Sequence, residues 1–128
     1  MSEITTVVLD AMGGDKAPFE TIKGAMKALE EIESLHLVLV GKKEIIEEEL
    51  KKYKYDSTKI EIVDAREVIE MTDDPVTAVK SKKDSSMNRT LELVKEGVVD
   101  ASVSAGNTGA LITASQLKLK RIKGVLRP

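Results

Sequence analysis

The sequence predicts an α/β fold on a mostly parallel sheet, and three observations carry that expectation. Short runs of Val, Ile and Leu alternate with longer stretches of helical spacing, the order that layers helices on a parallel sheet. The first of these runs is β-branched and mostly apolar, as expected of a strand covered on both faces. Two of them, ending at Asp10 and Val103, lead into glycine turns and then helices. In a parallel sheet such turns share the carboxyl edge of the strands, where open α/β folds bind ligands.

Taken in order, residues 4–10 (ITTVVLD) form the first strand, broken by Ala11-Met12-Gly13-Gly14-Asp15. Pro18 suits a first helical position, and Phe19, Ile22, Ala25, Met26 and Leu29 recur with helical spacing to about residue 34. Residues 35–40 (LHLVLV) form a second strand stopped by Gly41. Residues 42–54 form a charged amphipathic helix with Ile45, Ile46 and Leu50 on one side, and residues 60–63 a third strand. Asp74-Pro75 reads as an N-cap and first-turn proline, and residues 80–84 (KSKKD) as a polar loop. Residues 85–96 are helical, closed by Gly97. Residues 98–103 form a fourth strand, followed by Ser104-Ala105-Gly106-Asn107-Thr108-Gly109, where Asn107 or Thr108 caps a final Ala/Leu-rich helix.

Composition narrows the function classes. At 128 residues, 41% hydrophobic and 33% charged, the chain suits one compact domain. Twenty Lys and Arg against 22 Asp and Glu leave a net charge of -2, so no global basic field draws it to nucleic acid. With 2% aromatic residues it also lacks base-stacking platforms. The absence of cysteine removes disulfides, thiolate zinc sites and a cysteine nucleophile, and is compatible with a cytoplasmic location. No basic region followed by a long apolar run opens the chain, so no signal peptide is expected, and any membrane contact is expected to be peripheral. Residues 121–128 leave a helix through Gly124 and begin an element that does not arrive, so a fragment of a longer domain is expected.

The two glycine turns are the candidate site. Each offers free backbone N–H groups at a helix start, which suits an anion. Neither is a dinucleotide fingerprint, and Gly41-Lys42-Lys43 lacks the rest of a Walker A motif. Asp10 and Asp15 suit a metal, a lysine partner or a general acid; the plain alternative is that they cap the turn. Lys80, Lys82 and Lys83 suit a phosphate, against the plain alternative of a solvated loop. Asp84-Ser85-Ser86 reads most simply as a helix cap. His36, the only histidine, begins a strand far from either turn, which disfavours a Ser–His nucleophile. Lys118, Lys120, Arg121, Lys123 and Arg127 form a basic end, a solvated helix face or a dock for an acidic partner.

Asp10-Ala11-Met12-Gly13-Gly14-Asp15, Lys82-Lys83-Asp84-Ser85-Ser86-Met87, Leu93-Val94-Lys95-Glu96-Gly97, the Ser102 to Ala110 stretch (SVSAGNTGA) and Arg121-Ile122-Lys123-Gly124 occur in that order. Together they resemble the amino-terminal part of the PlsX family of bacterial phosphate acyltransferases, over nearly the whole chain. The chain departs from the family at Lys120 and Thr90, where glycine is common. The resemblance implies a three-layer α/β/α fold like that of phosphotransacetylases and isocitrate/isopropylmalate dehydrogenases, incomplete at the carboxyl end. It implies acyl transfer from acyl-acyl-carrier-protein to inorganic phosphate, with no metal or organic cofactor. It further implies a cytoplasmic, loosely membrane-associated homodimer that passes acyl phosphate to a membrane acyltransferase. On that reading Ser104, Asn107, Asp10 and Lys83 are the candidate catalytic residues. Gly13, Gly14, Asp15, Lys82, Ser85, Gly106, Thr108 and Gly109 are the candidate substrate-binding residues. Ser104, Asn107 and Thr108 are expected at the phosphate or thioester oxygen, and Asn107→Ala is expected to reduce turnover more than stability. Two alternatives stand beside it: a phosphotransacetylase-like enzyme using acyl-coenzyme A, and a non-catalytic phosphate-ligand module.

Overall fold

The computed structural model describes residues 3–127, so the expectation about the chain's end falls partly outside them at Pro128. The strands are β1 (Thr5–Asp10), β2 (Leu35–Gly41), β3 (Ile60–Asp64) and β4 (Ala101–Val103). The helices are α1 (Phe19–Glu31), α2 (Lys43–Leu50), α3 (Pro75–Ser81), α4 (Ser86–Lys95) and α5 (Thr108–Lys118). All four strands are parallel, in the order β3-β2-β1-β4.

Strand alternation divides the core into two faces. Leu37 and Leu39 of β2, with Val7 and Leu9 of β1, meet Ile22, Ala25 and Met26 of α1 and Ile46 and Leu50 of α2. Val8, Val38 and Val40 point the other way, against Leu93 and Val94 of α4. A third cluster joins α3, α4 and α5 through Val79, Met87, Leu91, Ala110 and Ala114. The result is the expected three-layer α/β/α arrangement. The winding explains the layers. The chain steps outward from β1 to β2 to β3 with helices on one face, then returns past β1 to β4. Right-handed crossovers in opposite directions put their helices on opposite faces. The reversal leaves a crevice between the carboxyl ends of β1 and β4.

Several local expectations change. Pro18 stands one place before the first helical residue, and Phe19 is 59% exposed, with the Lys52 ammonium 5.3 Å from its ring centre. The second helix stops at Leu50, because Tyr53 turns back onto the core and Asp56 caps a short 3-10 turn over Ser57–Lys59. Lys80 and Ser81 are helical rather than part of a loop. The fourth strand is only Ala101–Val103; before it, the Asp100 carboxylate accepts the Thr6 N–H at 2.9 Å, outside the ladder. Among the described residues, no helix is long and apolar enough to cross a membrane.

Gly97 closes α4 at φ +76 in open space, so Gly97→Ala should cost about 1 kcal/mol through backbone strain alone. Gly24 lies inside α1 with nothing near a Cβ, so Gly24→Ala should add about 0.5–1 kcal/mol. Urea unfolding of the two variants checks the opposite signs.

Candidate functional site

The crevice is organised by Asp10, the last residue of β1, which is only 1% exposed. Alternation points its side chain to the α4 face, and there Ser86, the first residue of α4, donates to Oδ1 at 2.5 Å. Ser104, just beyond β4, donates to Oδ2 at 2.9 Å, and the Met12 N–H donates to Oδ1 at 3.2 Å. Burial raises the Asp10 pKa above the ordinary carboxyl range, while the bonds from Ser86, Ser104, Met12 and Gly13 pull it down. One carboxylate thus ties a strand end, a helix start and both glycine turns.

The turns touch each other. A Cβ at Gly13 would lie 2.6 Å from Asp10 Oδ2 and 3.1 Å from the Gly106 nitrogen. Gly14, at φ +111, faces the Ala105 carbonyl. Ser104 Oγ accepts the Gly106 N–H at 3.2 Å. The N–H groups of Thr108 and Gly109, at the start of α5, donate to nothing among the described residues. Thr108 is exposed and Gly109 packs under Pro75, the first residue of α3, where a Cβ would approach Pro75 Cγ to 2.7 Å.

Of the two cap candidates, Asn107 takes the position. Its Oδ1 accepts the Ala110 N–H at 3.1 Å, while Nδ2 faces the carbonyls of Glu70, Met71 and Asp73 at 3.2, 3.4 and 3.1 Å. Asn107 is buried and its amide is used up within the chain, so Asn107→Ala is expected to cost stability as well as turnover. Lys82 has a similar place. Its ammonium donates to the Val68 carbonyl and to Asp73, both at 2.7 Å, and this cation holds the Asp73 carboxyl below its usual range. Asn107 and Lys82 therefore grip the 68–73 loop from two sides.

That loop forms one wall of a cleft of about 490 Å³ over the carboxyl edge, lined also by Met12, Gly14, Asp15 and Lys42. Asp15 is exposed there rather than capping α1, whose start has no side-chain cap. Ser85 caps α4, accepting the Asn88 N–H at 3.1 Å, and is fully buried. Lys83 goes elsewhere: it lines a separate groove between α3, α4 and α5. His36 pairs with Thr6 near the amino end of the sheet, away from the crevice. Two residues emerge that the sequence did not single out. Ser86 reads locally as part of a cap, and its partner lies 76 residues away. Lys42 follows Gly41 without any phosphate-loop pattern, and only the fold brings it beside Asp15. Among the described residues no three His, Asp or Glu gather as a metal set.

Comparison with known proteins gives consistent matches. A family model described as "Fatty acid synthesis protein" matches residues 5–128. A phosphate acyltransferase of Fusobacterium nucleatum subsp. nucleatum is 69% identical over 122 residues, covering 95% of this chain and 37% of that protein. A phosphate acyltransferase of Dictyoglomus thermophilum is 53% identical over 122 residues, covering 95% of this chain and 36% of that one. The chain thus spans a little over a third of the length of these relatives. Among solved structures, the EutD phosphotransacetylase from Staphylococcus aureus aligns with a TM-score of 0.62 at 20% identity, over 97% of this chain and 40% of that one. That likeness concerns the fold.

Asp10→Ala leaves two buried hydroxyls without an acceptor and should cost about 2–4 kcal/mol, whereas Asp10→Asn, which keeps an acceptor for Ser86, should cost less. The native pKa is raised, so ionised Asp10 opposes folding. Wild type should gain stability over Asp10→Asn as pH falls through that raised native value toward the ordinary 3.8, and lose the gain above it. Urea titrations across pH check both. Asn107→Ala should cost about 2–3 kcal/mol, from a lost cap and unpaired loop carbonyls. Asn107→Asp, which keeps the cap, should recover part of it, and hydrogen exchange should rise at residues 70–73 in both.

Proposed function

The chain belongs to the fatty acid synthesis protein family, and from that premise we propose that it is the anion-holding part of an acyltransferase that moves an acyl group from acyl-acyl-carrier-protein to inorganic phosphate. The observation that carries the reading is the convergence of two glycine turns at the reversal point of a parallel sheet, bolted through Asp10. Phosphate at neutral pH already has nucleophilic oxygens, so the reaction needs neither a histidine base nor a serine nucleophile. A phosphate oxygen attacks the thioester carbon and the C–S bond breaks. Acyl phosphate leaves, and the thiolate of the carrier takes a proton from water. The protein's work is to hold the phosphate against the thioester and stabilise the negative charge that grows on the carbonyl oxygen.

Each residue has a place in this scheme. The N–H groups of Thr108 and Gly109, with the Thr108 hydroxyl, face the anion from the start of α5. Gly13, Gly14 and Gly106 let the two turns close on Asp10 and on each other, which brings their backbones to one place. Ser104 is held by Asp10 and orients the second turn. Asp15 and Lys42 line the cleft, Lys42 as its cation. Ser85, Asn107 and Lys82 are positioning residues that fix α4 and the 68–73 wall. The whole enzyme, on this reading, is a cytoplasmic homodimer at the membrane surface whose product goes to a membrane acyltransferase; this chain supplies the amino-terminal part of its catalytic domain.

The test is a chimera in which residues 5–128 of this chain, the span matched by the family model, replace the corresponding segment of the Fusobacterium nucleatum phosphate acyltransferase. Phosphate-dependent release of free carrier from a long-chain acyl-acyl-carrier-protein is the expected outcome. A folded but inert chimera beside an active parent would overturn the reading, and turnover of acyl-coenzyme A alone would replace it with the phosphotransacetylase reading. Gly13→Ala in the chimera pushes the first turn off Asp10 and Gly106 and should lower turnover about a hundredfold, read beside its melting temperature.

A further inference from the structure

We propose that the groove between α3, α4 and α5 docks an acidic, amphipathic helix of a partner protein. The groove encloses about 580 Å³ and is lined by Lys80, Lys83, Lys95 and Lys118 around Val79, Asn88, Glu92 and Leu117. Four lysines meet one glutamate there, in a chain whose net charge is -2. Glu92 is taken by Lys118, at 3.1 Å. Lys80, Lys83 and Lys95 are exposed and have no ion-pair partner among the described residues.

Three of these lysines have a simpler role as well. Lys80, Lys95 and Lys118 stand in the last turns of their helices, where a cation complements the helix dipole. That role accounts for a lysine on each helix but not for their meeting in one groove. Lys83 lies beyond the end of α3 and has no such role. Nor does the dipole account for Leu117, which lines the groove and is 55% exposed. The one buried side-chain polar atom without a partner among the described residues, Asn88 Oδ1, belongs to this same face.

The shape selects the occupant. Asn88, Glu92 and Lys95 follow one another at helical spacing, so the groove runs about 10 Å along α4, the length of two helical turns. Carboxylates on such a helix meet Lys80, Lys83 and Lys95, and an apolar side chain covers Leu117. A flat lipid surface reaches the lysine tips but does not fill a recess. A nucleic acid strand offers no apolar surface to Leu117. The face lies away from the glycine turns, and its test reads binding rather than turnover.

The probe is a fluorescein-labelled, Glu-rich helical peptide with leucines along one face, titrated by anisotropy into the 128-residue chain. The comparisons are a scrambled peptide of identical composition, phosphatidylglycerol vesicles and a single-stranded DNA oligonucleotide. The amphipathic peptide should bind at least about tenfold more tightly than the scramble. Lys80→Glu with Lys95→Glu should weaken it by more than about tenfold and flatten its salt dependence, and Lys80→Gln with Lys95→Gln should do so in part. Leu117→Ala should bring it down to the scrambled level. Far-ultraviolet melting of each variant shows that the fold is intact. Equal binding of both peptides, an affinity unmoved by the double charge reversal, or tighter binding of vesicles or oligonucleotide would each overturn the proposal.

Discussion

A carboxylate buried at the end of β1 is the constraint on which the rest of the carboxyl edge depends. Taking Asp10 out of water is costly, and two hydroxyls and a backbone N–H offset that cost. The donors come from three places far apart in sequence, so satisfying one side chain fixes the relative position of β1, α4 and β4. The consequences pass outward in steps. Ser104, fixed by Asp10, sets Gly106; Gly106 leads to Asn107; and Asn107 caps α5 while holding the 68–73 loop. Lys82 holds the same loop from the side of α3. The cleft wall and both glycine turns therefore share one anchor. Gly13 has to be glycine for the same reason, since the space a side chain would need is filled by the anchor itself.

What the sequence made legible is what is decided locally. Apolar runs, the Asp74-Pro75 start, the Gly97 stop and the Asn107 cap each depend on neighbours within a few residues, and each fell near its expected place. The strand order was not legible, since two strands ending in glycine turns point to one edge but not to which strands lie side by side. Nor were the pairings that define the site. Ser86 and Asp10 are 76 residues apart, and nothing in the spacing of Ser85 and Ser86 says which serine caps the helix and which reaches the strand. The three residues before Ala101 show the converse failure. Val98 and Val99 have strand-like side chains, but the Asp100 carboxylate takes the N–H of Thr6 and the ladder begins only at Val7.

Lys82 and Lys83 make the limit of sequence reading concrete. They are adjacent, chemically identical and part of one polar run. Lys82 caps α3 and turns inward to a carbonyl and a carboxylate, while Lys83, one residue on, points out into the α3–α4–α5 groove. A rotation of about 100° per residue near a helix end is enough to separate a positioning role from a surface one. Composition alone favoured a solvated loop for both, and that is right for only one of them.

The proposed anion site is made largely of backbone N–H groups and small residues, beside a cleft lined by Lys42, Asp15 and Glu70. A site of this kind is specified by chain path more than by side-chain identity, because any residue supplies an N–H and only glycine permits the close approach. It separates two tasks within the proposed enzyme. Holding phosphate falls to geometry that the fold provides. Recognising a particular acyl donor is a separate task, and Lys80, Lys83 and Lys95 of the α3–α4–α5 groove, exposed and without an ion-pair partner among the described residues, take no part in the Asp10 network.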